Sequence, residues 1–139
     1  MKDVKRTVGN LMVKSPITVE PWQPVAHARQ IMLMHSFSFL PIWLDDRWWL
    51  LSELGLAKFL NTSSRKKKER LGLTIKEATK HVPKLALVQV DENSLCTAGT
   101  TIDELLERAG TTDTPTLWLV IDDERRHHID GVLSPFELM

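Results

Sequence analysis

The spacing with the most chemical content lies at the end of the chain, in Gly131-Val132-Leu133-Ser134-Pro135-Phe136-Glu137. A hydroxyl and a carboxylate three residues apart, with a proline opening the turn between them, can act in two ways. In one, the serine caps a helical turn and the glutamate reaches back to the serine amide, satisfying donors that a helix start leaves open. In the other, the carboxylate accepts hydrogen bonds from a bound molecule while the hydroxyl and nearby free amides donate to an anionic group. The two readings share Ser134 and compete for Glu137. An earlier run, Arg47-Trp48-Trp49-Leu50-Leu51-Ser52, has the same apolar stretch and serine, but Gly55 stands where the acid would fall.

Other reactive groups are sparse. Cys96 is the single cysteine, so no internal disulfide forms and no thiol pair offers a zinc site; it is expected to act as a small hydrophobe. His127 and His128 fall in a charged turn, where solvated residues are usual. No nucleophile has a base partner, no two acids stand at a defined spacing and no glycine loop would cradle a phosphate, so neither catalysis nor metal binding is expected. Eighteen basic and eighteen acidic residues cancel, which leaves no global field to hold the chain to nucleic acid or an anionic membrane. No apolar run approaches the roughly 18 to 20 residues that span a bilayer, and no secretory segment follows the charged N-terminus. A cytoplasmic protein is expected.

The elements that position these residues come in two similar sets. With 139 residues and 42% hydrophobic content, the chain can fill one core or two small related ones. Residues 63–72, polar and basic around Arg65, Lys66, Lys67 and Lys68, read as a solvated linker that separates a first unit (1–62) from a second (73–139). Each unit opens with a short helix, at 6–12 and 73–79, the latter with Thr74 and Glu77 at capping-box spacing. Strands follow at 16–19 and 85–90. The next helices span 24–35, with Val25, Ala28, Ile31, Met32 and His35 on one face, and 101–110, with Ile102, Leu105, Leu106 and Ala109 inward, Thr101 and Glu104 as a capping box and Gly110 as the stop. Paired strands come next, at 39–44 with 47–51 and at 115–121 with 128–133, each pair joined by an acidic turn. Ser52 and Ser134 then begin a last helix, which in the second unit stops after barely one turn.

This repeated order, with Val8, Leu11, Met12, Pro16-Ile17-Thr18-Val19, Leu40-Pro41-Ile42 and Ser52 in the first unit, and Thr74, Ile75, Val88-Gln89-Val90, Pro115 to Asp122 and Gly131 to Leu138 in the second, resembles a tandem pair of CBS domains, also called a Bateman module. The resemblance covers nearly the whole chain. It implies an α/β fold in which two units pack about a pseudo-twofold axis, with clefts that in many relatives bind AMP, ADP, ATP or S-adenosylmethionine, and it implies a homodimer. One carboxylate supplies acceptors for both hydroxyls of a ribose. Carried over residue by residue, the resemblance places Ser134 and Glu137 on the sugar and phosphate, Val13, Pro16, Ile17 and Thr18 on the base, and Leu40 and Pro41 as a wall.

The chain departs from the family pattern at three places. Glu137 replaces the commoner aspartate, Val13 replaces a hydroxyl residue, and Ser38 and Phe39 stand where relatives may present cations. An AMP-like molecule or S-adenosylmethionine is therefore expected, not a triphosphate. The companion cleft, with Gly55, is expected to hold no nucleotide. Trp43, Trp48, Trp49 and Trp118 are expected to fill a core or a dimer contact. The leading expectation is a non-catalytic regulatory module that senses an adenosine-containing metabolite for an attached effector domain. The alternatives are a ligand-free structural or dimerisation module and, more weakly, nucleic-acid binding through the basic linker.

Overall fold

The computed structural model describes residues 6–14, 16–109 and 117–139. Their contacts divide the chain into a middle unit, Ile17–Val90, and a terminal unit, Met1–Pro16 with Asp91–Met139.

The terminal unit contains helix α1 (Val8–Leu11), strands β1 (Val13–Lys14) and β5 (Leu95–Cys96), helix α6 (Ile102–Ala109), and strands β6 (Trp118–Ile121) and β7 (Ile129–Leu133). Its sheet has the order β1-β7-β6-β5, parallel only between β5 and β6. All four residues of β6 are buried, as its central place requires. Val8, Cys96, Ile102, Leu105, Trp118, Val120 and Leu133 form the core. The β6–β7 turn is organised by Asp122, whose Oδ1 accepts from the amides of Glu124 and Arg125 at 2.9 and 3.0 Å. Those two amides, Arg125 first, hold its carboxyl below the usual range.

The middle unit contains α2 (Val25–His35), β2 (Phe39–Leu44), β3 (Arg47–Ser52), α3 (Glu53–Leu60), α4 (Ser64–Leu71), α5 (Ile75–Lys80) and β4 (Val88–Gln89), with a sheet in the order β2-β3-β4. Asp45 and Asp46 both take positive φ, 54° and 59°, as a two-residue hairpin loop demands. The buried face of α2 is Val25, Ala28, Ile31 and Met32, packed with Val19, Leu40, Ile42, Leu51, Leu56 and Phe59. Each of the larger of these stabilises the fold by roughly 1.5–3 kcal/mol.

The short helices exchange places between the sequence halves. The α1 amides of Val8 and Gly9 donate to Thr100 and Ala98 at 2.8 and 2.9 Å, so the chain's first helix docks at the head of α6. A Cβ on Gly9 would lie 3.1 Å from the Ala98 carbonyl oxygen, so the approach is tight for any side chain. Reciprocally, α5 of the second sequence half docks at the head of α2: Ile75 donates to Gln23 and Val25 donates to Leu73. The Thr74–Glu77 capping box forms in full, both bonds at 3.0 Å.

Several expectations change. The strand at 16–19 reduces to a bridge from Val19 to Ile42, and the ladder strand lies earlier, at Val13–Lys14. Pro16 has no amide to donate, and the chain passes from one unit to the other there. The expected strand at 85–90 is laddered only at Val88–Gln89. The linker is helical. Ser63 caps α4 by accepting from the Lys66 amide, Arg65 pairs with Glu69 at 3.7 Å, and Arg70 reaches the Phe59 carbonyl at 2.8 Å while lying over its ring. On α2, His35 is exposed and stacks on Phe37. On α6, Leu106 is exposed, the Thr101 hydroxyl accepts from the Glu104 amide, and the Glu104 carboxylate bonds Arg108. The last helix is a single 3₁₀ turn, Pro135–Leu138. Gly110 and the start of the strand predicted at 115–121 lie outside the described residues.

Candidate functional site

Strand β7 delivers the Ser134–Glu137 turn, and β1 lies directly beside it, with Val13 opposite Val132 and Lys14 opposite Gly131. That pairing explains the glycine. A Cβ at Gly131 would stand 2.5 Å from Met12 Sδ and 2.8 Å from the Val13 carbonyl oxygen. Ser134 leaves the strand with extended backbone, and Pro135 opens the turn.

The carboxylate half of the capping box is present. Glu137 Oε2 accepts from the Ser134 amide at 2.8 Å and also from the Ser134 hydroxyl, so its acceptor sites are filled. Both donors from Ser134 fall on Oε2, which leaves Oε1 outside the Ser134 cap. Partial burial pushes the Glu137 carboxyl upward, but the Ser134 hydroxyl, the Ser134 amide and its own amide outweigh burial and hold the pKa below the ordinary value. The turn thus presents an ionised carboxylate with Oε2 committed to the cap.

The remaining predicted ligand residues distribute over both units. Val13 and Pro16 belong with Ser134 and Glu137 in the terminal unit; Ile17, Thr18, Leu40 and Pro41 belong to the middle unit. There the Val19 amide donates to the Pro41 carbonyl at 3.3 Å, which runs Ile17 and Thr18 into the edge of β2. Leu40 is wholly inside the middle core, so β2 presents backbone at that position.

The companion turn, in the middle unit, is built differently. Ser52 Oγ accepts from the Gly55 amide at 2.9 Å and caps α3. A Cβ on Gly55 would lie 3.0 Å from both the Ala86 carbonyl oxygen and Ser52 Oγ. Sequence reading registered the missing acid but not the backbone of residue 86 that crowds the position.

Trp43, Trp48, Trp49 and Trp118 are held by contacts within their own units. Trp48 and Trp118 are buried, Trp43 meets Trp48 edge-on with centroids 5.4 Å apart, and Trp49 Nε1 donates to the Leu44 carbonyl at 2.8 Å. Cys96 is buried and its thiol is pushed up to about 11 by that burial, with Arg108 opposing, so it is not a thiolate near neutral pH. Among the described residues no group of three or more His, Cys, Asp or Glu side chains converges for a metal. No described helix is long and apolar enough to cross a membrane.

No protein-family model matches the chain, and no curated protein matches it. Solved structures do. A CBS domain-containing protein of unknown function from Bacillus anthracis matches at 14% identity and TM-score 0.65, over 95% of this chain and 88% of that one. CBSX2, solved in complex with AMP, matches at 16% identity and TM-score 0.64, over 96% and 92%. The CBS domain pair of protein MJ0100, solved with 5′-methylthioadenosine and S-adenosyl-L-methionine, matches at 17% identity and TM-score 0.62, over 97% and 94%. The fold is that of a tandem CBS domain pair.

Proposed function

We propose that this chain is a non-catalytic, cytoplasmic regulatory module that binds one adenosine-containing metabolite, AMP-like or S-adenosylmethionine, and that works as a homodimer coupled to an effector domain. The observation that carries the reading is Glu137: its carboxylate is held ionised, and both donors from Ser134 fall on Oε2, leaving Oε1 outside the Ser134 cap. A ribose diol donates to that oxygen, while Val13, Pro16, Ile17, Thr18, Leu40 and Pro41 are the residues proposed to meet the base. Supporting it, two solved structures of the same fold were obtained with AMP and with S-adenosylmethionine and 5′-methylthioadenosine. Binding acts by preferring one arrangement of the module over another.

A second reading, a structural module that binds no nucleotide, is favoured by Gly55 and by the cap bonds on Oε2. Thermal unfolding of wild type and Glu137→Gln against AMP, ADP, S-adenosylmethionine and 5′-methylthioadenosine separates the two. A ligand at 100 times its Kd stabilises by about 2.7 kcal/mol. The regulatory reading expects that shift in wild type and its loss in the variant; no shift with any of the four leaves the structural reading.

A further inference from the structure

The neutral chain is divided into oppositely charged units. The middle unit, Ile17–Val90, has eleven Lys and Arg against six Asp and Glu, net +5; the terminal unit has seven against twelve, net −5. The positive charge is itself confined. Residues 64–84, which span α4, α5 and the segment after it, hold eight Lys and Arg against two acids, net +6, so the rest of the middle unit is slightly negative. Both acids are engaged: Glu69 pairs with Arg65 at 3.7 Å, and Glu77 closes the Thr74 capping box. Arg65, Lys66, Lys68, Lys76, Lys80 and Lys84 are all exposed, whereas Arg70 is anchored on the Phe59 carbonyl. The two helices adjoin, because Lys66 and Arg70 of α4 line a hollow of about 320 Å³ together with His81 and Val82, just past the end of α5.

Beside this charge stands an exposed aromatic ring. Trp22 is 70% exposed, while the other four tryptophans are buried or half-buried. Its place is fixed by backbone: the Lys76 amide donates to the Pro21 carbonyl and the Ile75 amide to the Gln23 carbonyl, both at 2.9 Å, so the turn carrying Trp22 is fastened to the first turn of α5. Lys80 follows Lys76 at i+4, on the same face of that helix. Cations beside an exposed ring suit a polymer that alternates phosphates with flat, unstacked bases. A duplex keeps its bases stacked on one another and offers the ring no face. A lipid surface needs an apolar helix face, but Ile75 and Ala78 of α5 are buried in the core and Leu71 is the only apolar residue of α4. We infer that the α4–α5 face of the middle unit binds single-stranded nucleic acid, with Lys66, Lys76 and Lys80 on the phosphates and Trp22 stacked on a base. The site lies within one unit and uses no residue of the Ser134–Glu137 turn.

Fluorescence anisotropy of the full chain with labelled single strands of about twelve nucleotides, repeated across a range of salt, tests it. Wild type is expected to bind, with log Kd rising linearly with log salt. Trp22→Ala is expected to weaken binding about fivefold or more at an unchanged salt slope, since it removes stacking and no charge. Lys76→Glu with Lys80→Glu is expected to weaken it about tenfold or more and to reduce the slope by about 1 or more, and Lys76→Arg with Lys80→Arg to bind as wild type does. Circular dichroism checks that every variant is folded. No binding by wild type at low salt overturns the inference, and so does binding that either Trp22→Ala or the charge reversal leaves unchanged. A duplex of the same sequence, polyglutamate or phosphatidylserine vesicles bound as tightly as the single strand would overturn it too, since none of them presents an unstacked base.

Discussion

Ser52 and Ser134 stand at corresponding points of the two sequence repeats, each closing a strand and opening a helical turn, yet their surroundings differ in kind. Ser52 caps α3 alone, by accepting from the Gly55 amide. Three residues on stands Gly55, where a Cβ would crowd the Ala86 carbonyl at 3.0 Å. Ser134 gives its amide and hydroxyl to Glu137, and the glutamate keeps an oxygen beyond the cap. Glycine also recurs for packing on the other side of the comparison: Gly131 admits Met12 and Val13 as Gly55 admits Ala86. Close backbone approach is therefore a constant of both turns, and only its position moves. Where it falls on the strand, the turn carries an acid; where it falls on the acid's own position, the turn carries glycine.

Four perturbations break or sharpen this contrast. The largest effect is expected for Gly131→Ala, whose Cβ meets Val13 backbone as well as the flexible Met12: a loss of about 2–3 kcal/mol, read from the urea midpoint, with the β1–β7 pairing weakened in hydrogen exchange. Gly55→Asp would restore the acid to the companion turn. It is expected to cost about 1–2 kcal/mol and to bring no adenosine binding by calorimetry, because displacing Ala86 is the price. A second binding event in that variant would show that the position is open after all. Ser52→Ala removes the α3 cap and is expected to lower stability by about 1 kcal/mol without altering any ligand response.

The smallest effect concerns pH. The folded-state pKa of Glu137 lies below its ordinary value of 4.5, so the stabilisation from its ionised cap is fully present above that value. It is lost as pH falls through the folded value. Glu137→Gln is expected to flatten this part of the acid limb in a pH series of urea midpoints, and an unchanged limb would remove the cap from the account.

The repeated order of helices and strands was legible because periodicity and caps are local: the α2 stripe, both paired strands and the Thr74–Glu77 box are set by residues within a few positions of one another. The α4 helix was legible in part. Ser63 as cap, Arg65 and Glu69 four apart and the lack of glycine or proline across Ser64–Leu71 all favour helix, but the run of like charge outweighed them. The strand at 16–19 was misplaced because a β-branched run signals extended backbone without saying whether a partner strand is present. Within the candidate site, Ser134 and Glu137 could be named, whereas the commitment of Oε2 to the cap depends on where that oxygen points.

By itself, then, the sequence determined the two-fold repeat, the serine-headed turns and the lack of a side chain at Gly55, since each is a matter of residue type and short spacing. Tertiary structure alone decided that α1 and α5 serve the opposite sequence halves, that neutral composition separates into a +5 and a −5 unit, and that backbone crowds the positions of Gly55 and Gly131. Those outcomes rest on backbone contacts between residues distant in the chain, and no local propensity encodes them.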